Sequence, residues 1–577
     1  MNSIFSDPAE HAPMIVETAV RSDVGMRMAT GEWIELDRLP LSLEAVEGET
    51  VARLSGTASA TMAIGRVMRA AQTFFEVPSR GVTKAPTIAR AKSATKALVN
   101  VLDRKIITAY MDRETQLMRI LYKEIVLRFK PEVSAKVRGA ILRESGLTLR
   151  TRNPMIPDQM ILTDTGMRHP GEELVRLAAR LSTLDEVAFA APNFISQFRR
   201  SAPVAVGAPS SKQWHLRLIG ASKAWQTTRG KRAVTIAVID DGIDVEHPEL
   251  RGNILRNADP DEPRDVCGRD FYLLDEDVDH FNPRPKRFRS PFEQLSGNDI
   301  HGTCCAGIAV GRGPRAYGLA PNCRLLPVKI FHADDLASES QVADAIRYAA
   351  AFSDVISCSW SCAKSPDIEF ALEDARRLGR KGRGAVIVCA TGNIESPHES
   401  TRVTYPASDP NVIAVGASTD ADAFADYSKR GPQVCVVAPS SGGGRNIFTT
   451  DVSTPGRGFN NSGADSQFVS DFGGTSSATP LVAGLCGLML SLKPDMTADD
   501  VRAALIASAK KIGPASAYKA NGHSNKFGYG RIDAAKAVAQ MKSSKAKKPK
   551  PDRERGFNAV GRATFRPLLF SGKISAA

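Results

Sequence analysis

Val238-Ile239-Asp240-Asp241-Gly242, His301-Gly302-Thr303 and Gly474-Thr475-Ser476-Ser477-Ala478-Thr479-Pro480 occur in that order in this chain, and they constrain its fold more than any other feature. The first is an apolar strand that runs into a carboxylate and a glycine. The third is a glycine turn leading into small and apolar residues, the pattern of a buried helix start. A serine hydroxyl is a poor nucleophile near neutral pH and needs a base within hydrogen-bond reach, itself oriented by a carboxylate. A fold that uses all three segments must bring a strand end, a His-Gly segment and a helix N-terminus to one point. Taken singly, an Asp after a strand is usually a cap, His-Gly a loop and Gly-Thr-Ser a linker. The ordered set, with Ala390-Thr391-Gly392-Asn393 between the last two, is hard to obtain by chance.

From Gln213-Trp214-His215-Leu216 to about residue 538, apolar strands alternate with amphipathic helices. Strands are expected at 235–239, 324–330, 355–359, 385–389, 412–415 and 434–437, and helices at 338–352, 368–378, 475–492 and 498–508. Such alternation implies a parallel sheet covered on both faces, with its site outside the strands' C-terminal ends. Asp240 and Asn393 fall at that end. With these motifs the chain resembles the subtilisin-like (subtilase) serine peptidases, over roughly 118–540. The resemblance implies a parallel-sheet, three-layer α/β catalytic domain at 205–540. It gives Asp240, His301 and Ser476 the catalytic roles and Asn393 that of oxyanion donor. Ser359, Trp360 and Ser361 correspond to the strand that pairs with substrate, with Ser361 where glycine is usual, which would narrow the first specificity pocket. Val355-Ile-Ser-Cys-Ser-Trp360 also resembles the kexin-like branch. Ser361-Cys362-Ala363-Lys364-Ser365 lacks that branch's acidic residues, so no preference for basic substrates is expected.

Residues 118–200 read as β-α-β-β-α-β, the split ferredoxin-like plan. Strands are expected at 124–129, 148–152, 159–163 and 187–196, and helices at 131–145 and 170–181. This α+β unit resembles a subtilase propeptide, with Pro192-Asn193-Phe194-Ile195 in its final strand, and it implies a self-inhibited precursor. Residues 1–117 are read as a helical or partly ordered region with a short strand at 32–36 and helical spacing over 57–77 and 86–110; they would suit a regulatory partner. Residues 541–577 are read as a basic tail. Arg199-Arg200 and Pro283-Arg-Pro-Lys-Arg-Phe-Arg289 are candidate nicking points.

A net charge of +13 invites a nucleic-acid partner, but Lys and Arg are dispersed and the one dense run, Lys542 to Lys550, reads as a solvated tail. The nine cysteines lie between Cys267 and Cys486, several inside apolar strands, and are expected to be reduced thiols. Cys358 with Cys362, or Cys304 with Cys305, lacks a second pair at zinc spacing, so no metal is assigned to them. Asp275, Glu276, Asp277 and Asp279 offer carboxylates for Ca²⁺ without the full twelve-residue loop signature, so no cofactor is required and calcium is an open option. The N-terminus lacks a signal-peptide pattern and the strongest apolar stretch, 481–492, stops at Lys493-Pro494; a cytoplasmic protein with no membrane partner is expected. The function expected is a serine endopeptidase acting on protein or peptide through an acyl-enzyme on Ser476. The alternatives are a processing protease or peptide ligase, or a partner-controlled protein with a latent protease fold.

Overall fold

The computed structural model describes residues 25–28, 33–35, 37–46, 49–54, 106–112, 117–153, 156–165, 171–200, 213–260, 262, 264–272, 280–286, 299–313, 315–332, 336–454, 457–460 and 466–543. Strands β1 (Gly25–Arg27) and β2 (Trp33–Glu35) pair antiparallel. Next come β3 (Asp37–Val46), β4 (Glu49–Leu54), β5 (Ile106–Met111) and β6 (Met118–Phe129), joined side by side in one sheet. The helical segment expected over 57–77 lies outside the described residues. Of the one expected over 86–110, only 106–110 is described, and it is strand β5. Ile106-Ile107-Thr108 is β-branched and favours extended backbone, and β5 gains ladder partners on both sides, β3 and β6. The sheet therefore crosses the boundary expected at residue 117.

The unit that follows β6 has the expected order: α1 (Ala135–Ser145), β7 (Thr148–Arg152), β8 (Gln159–Thr163), α2 (Glu172–Leu181) and β9 (Val187–Gln197). Ser134 caps α1 by accepting from Val137 N, and Gly146, at φ +69°, ends it in the left-handed conformation that glycine adopts without strain. Leu174, Val175, Leu177, Ala178 and Leu181 of α2 pack with Ile125, Leu127, Phe129 and Phe194 of the sheet. The chain leaves this unit through β10 (Arg199–Arg200).

The second unit opens with two short helices, α3 (Trp214–Leu218) and α4 (Ala221–Trp225), and then β11 (Thr235–Asp240). Its strands continue with β12 (Arg269–Asp270), β13 (Arg324–Lys329), β14 (Leu336–Ser338), β15 (Val355–Cys358), β16 (Trp360–Ser361), β17 (Val386–Ala390), β18 (Ile413–Ser418) and β19 (Val434–Pro439), and with the antiparallel pair β20 (Ile447–Thr450) and β21 (Phe468–Phe472). Helices α5 (His301–Val310), α6 (Glu339–Phe352), α7 (Pro366–Gly382), α8 (Gly474–Leu492), α9 (Ala498–Ser508) and α10 (Ala534–Ser543) complete it. Seven strands form a wholly parallel sheet in the order β12-β13-β11-β15-β17-β18-β19. Helices α5 and α8 pack on one face and α6 and α7 on the other, so both faces are core and every residue of β11, β15 and β17 is buried. Helix α8 is long and apolar enough to cross a membrane, yet 94% of its most apolar window is buried inside this core. All nine cysteines are buried and unpaired.

The two units share backbone ladders. β14 extends the first unit's sheet by pairing with β9, and β10 pairs antiparallel with β16. Ion pairs reinforce the contact: Arg128 with Asp374 at 3.0 Å, and the fully buried Arg119 with Glu339 at 3.0 Å.

Candidate active site

Strand β11 ends at Asp240, and the carboxylates of Asp240 and Asp241 face different tasks. Asp240 Oδ1 lies 2.8 Å from His301 Nδ1. Asp241 turns to the N-terminus of α5, where its carboxylate accepts from Ile300 N and His301 N at 3.1 Å and Gly302 N at 2.8 Å. Three otherwise unpaired amides of that helix are thus satisfied by the second aspartate, leaving the first for the imidazole. Glycine at 302 is required by contact: a Cβ there would sit 2.4 Å from Gly242 O and 2.9 Å from Asp240 Cβ. Burial disfavours a charged His301 ring, but Asp240 outweighs it and raises the imidazole well above the ordinary histidine value. His301 Nε2 is buried and has no hydrogen-bond partner.

Ser476 sits in the first turn of α8, past Gly473 and Gly474; Gly474 has φ +70°. The turn is held by Ser440, which donates to Gly474 O at 2.7 Å, and by Ser441, whose Oγ accepts from Gly474 N. Ser476 Oγ donates to Ser359 O at 3.2 Å. Asn393 follows β17 through Gly392, at φ +93°. Its Oδ1 accepts from both the amide and the hydroxyl of Thr475 at 3.0 Å, which fixes the orientation of the side-chain amide one residue from Ser476. The structure thus brings Asp240, His301, Ser476 and Asn393 to one end of the sheet, with the serine hydroxyl turned to Ser359.

Ser359, Trp360 and Ser361 lie beside them. The Trp360 side chain is wholly buried, donates to Ile239 O and packs edge-on to Phe198, so this residue presents only its backbone, which pairs with β10. Ser361 is buried against β10, and its hydroxyl donates to Arg199 O at 3.5 Å.

Several neighbours escaped the sequence reading. Cys305 Sγ is 3.7 Å from His301 Nδ1 and from Ser476 O, and burial raises its thiol pKa. It stands four residues after His301 on one helix, a spacing that signals a shared face. Beneath Asp241, the wholly buried Lys329 donates to Asp241 O, Asp299 Oδ2 and Phe331 O and lies 3.1 Å from His332 Nδ1. The carboxylates at 275–279 lie outside the described residues. Among the described residues the one cluster able to ligate a metal is Asp240, His301 and Cys305. A thiol, an imidazole and one carboxylate are not a set of hard oxygen donors and do not fit calcium.

Comparison with known proteins agrees with this architecture. The model of the subtilase family matches residues 231–530. The "Calcium-dependent protease" of Nostoc sp. strain PCC 7120 is 32% identical over 461 residues, which span 73% of this chain and 63% of that protein. The chain therefore covers less than two thirds of that relative. The "Thermophilic serine proteinase" of Bacillus sp. strain AK1 is 30% identical over 425 residues, 72% of this chain and 87% of its own. The crystal structure of fervidolysin from Fervidobacterium pennivorans superposes with a TM-score of 0.53 at 20% identity, covering 74% of this chain and 62% of that one, and shares the fold. The family match spans nearly all of the parallel-sheet unit, and this chain belongs to the subtilase family.

Proposed function

We propose that the chain is a serine endopeptidase, made as a precursor that its own first unit inhibits. The observation that carries the reading is the Asp240–His301 pair at 2.8 Å beside a serine at a helix N-terminus. In the reaction, Ser476 Oγ rotates from Ser359 O to His301 Nε2, attacks the scissile carbonyl and passes its proton to that nitrogen. Asp240 holds the ring and stabilises the imidazolium. The oxyanion is met by the Ser476 amide, at the positive end of α8, and by the Asn393 side chain. Collapse breaks the C–N bond, and His301 returns the proton to the leaving amine. Water, deprotonated by the same histidine, then hydrolyses the ester and regenerates Ser476.

Self-inhibition is supported by β10, which occupies β16, the strand that substrate would pair with, and by Phe198, which anchors that segment against Phe331 and Trp360. The test is the intact mass of purified wild type beside Ser476→Ala. The wild type should fall into two fragments cut shortly after β10 while the variant stays whole; two whole proteins would refute the precursor reading. A calcium requirement is a finer proposal, supported by the printed name of the Nostoc relative and by the acidic run Asp275-Glu276-Asp277-Val278-Asp279. Loss of thermal stability in a chelator, restored by Ca²⁺ and not by Mg²⁺, is the outcome it predicts.

A further inference from the structure

Arg199 is held at both ends. Its backbone pairs with Ser361, and its guanidinium Nη1 lies 3.1 Å from Glu399 Oε1. Glu399 is itself preset, because its other oxygen accepts from Glu395 N at 3.2 Å, inside the loop that follows Asn393. The acceptor is therefore poised by the catalytic unit and does not depend on the arginine for its orientation.

The register of the ladder says what this contact means for a peptide. Residue 199 lies opposite 361 and residue 200 opposite 360, so the next step of an antiparallel strand faces Ser359. The Ser359 carbonyl is the group that the Ser476 hydroxyl touches, at 3.2 Å. A peptide bound in this register presents to the nucleophile the carbonyl of the residue opposite Ser359. The residue opposite Ser361 is then the third before the scissile bond. We propose that Glu399 is a specificity-determining residue that selects arginine or lysine at that third position of a peptide substrate. The inference rests on the endopeptidase reading above. It departs from the sequence expectation, which looked for acids only in the segment after Trp360; Glu399 stands in the loop after Asn393. It further implies that Arg199-Arg200 is not cut as a dibasic pair. The bond broken lies one residue beyond, after Ser201.

The test uses the full-length protein after self-processing and two internally quenched peptides that differ only in Arg or Gln at the third position. Partly exposed ion pairs are worth about 0.2–1 kcal/mol, so the wild type should prefer Arg by about 1.4- to fivefold in kcat/KM. The preference should vanish in Glu399→Gln. In Glu399→Arg it should invert when a third peptide carries Glu. Self-processing should leave an N-terminal fragment whose mass ends at Ser201. Equal rates on Arg and Gln peptides, a preference that survives in E399Q, or a fragment ending at Arg200 would overturn the inference and leave the endopeptidase reading intact. A processed wild type that cuts none of the peptides would overturn that reading, and the inference with it.

Discussion

Ser359 and Ser476 exchange hydrogen bonds: the hydroxyl of each donates to the carbonyl of the other at 3.2 Å. The Ser476 carbonyl is open to Ser359 Oγ because Pro480, four residues after Ser476 inside α8, has no N–H to offer it. The helix forgoes one internal bond, and its first turn is tied to Ser359, beside the strand that carries substrate in the proposed reaction. Pro480→Ala would return an N–H to the Ser476 carbonyl and compete with Ser359. The melting temperature should hold or rise, since proline in a helix interior costs about 3 kcal/mol. The value of kcat should fall about tenfold with KM little changed, the mark of roughly 1.4 kcal/mol lost only in the transition state. Unchanged kcat in P480A would show that the tie is dispensable.

His301 must be neutral to accept the serine proton. Asp240 raises its pKa despite burial, so the protonated, inactive form persists to higher pH than for an ordinary histidine. The acidic limb of log kcat/KM should therefore lie above about 6.5, the free imidazole value. Asp240→Asn removes the raising charge: the limb should move down while kcat drops by about 10⁴-fold, the loss known for the same change in another serine protease fold. A limb that does not move would place the titrating group elsewhere.

Six strands of the parallel sheet were legible because each carries a run of apolar residues buried in the core, whereas the edge strand β12, only Arg269–Asp270, has no apolar run to reveal it. The order of the sheet was not, since nothing in Val355-Ile-Ser-Cys358 or Val386-Ile-Val388 says that these strands are neighbours. Asp240, His301 and Ser476 stood out in the sequence through their glycine-flanked motifs, and the close approach at Gly302 gives the physical reason for one of those glycines. The resemblance already favoured Asp240 over Asp241, and the structure adds the physical reason: Asp241 caps α5. Glu399 and Lys329 carry no local signature for their contacts with Arg199, Asp241 and Asp299, which come from segments far away in sequence, whereas Cys305 meets His301 through a four-residue spacing that has meaning only once the stretch is known to be helical. Ile106–Met111 was misread because the alanines before it carry a helical spacing, whereas the strand forms through partners supplied by β3 and β6.

Lys329, Asp299 and His332 form a buried cluster behind the strand end that carries Asp240. Burial pushes Asp299 up, but Lys329 and His332 outweigh it and hold the carboxyl at about 2, against an ordinary value of 3.8. A depressed folded-state pKa contributes stability that is present above the unfolded value and lost as pH falls through the folded one. The wild type should lose about 2 kcal/mol between about pH 4 and pH 2 from this group, whereas Asp299→Asn should be flatter in that window and less stable at pH 7. Lys329→Met should be worse than either, by about 3–5 kcal/mol, since it leaves Asp299 charged and without its main partner. Urea titrations at pH 7, 4 and 2 measure all three.

The contact between the units rests on an unusual pair, and it offers the sharpest test of how the first unit is held. Arg119, fully buried on β6, meets Glu339 at the start of α6 at 3.0 Å, and its guanidinium also donates to Lys364 O and lies over the Phe194 ring. Glu339 takes a second bond from Ser196 Oγ, and burial raises its pKa. Replacing Arg119 with Met strands a carboxylate in a dry interface, which costs about 3–5 kcal/mol, while Glu339→Gln alone leaves a cation that still has the Lys364 carbonyl. In a Ser476→Ala background, chosen so that the proposed self-processing does not split the chain, Arg119→Met should be the more destabilising single change. The double variant should recover much of that loss, because no unpaired charge remains. A coupling free energy of about 1–3 kcal/mol in this cycle would assign the effect to the pair. Strict additivity would mean that the two residues act separately and that the backbone ladders β9–β14 and β10–β16 hold the units together.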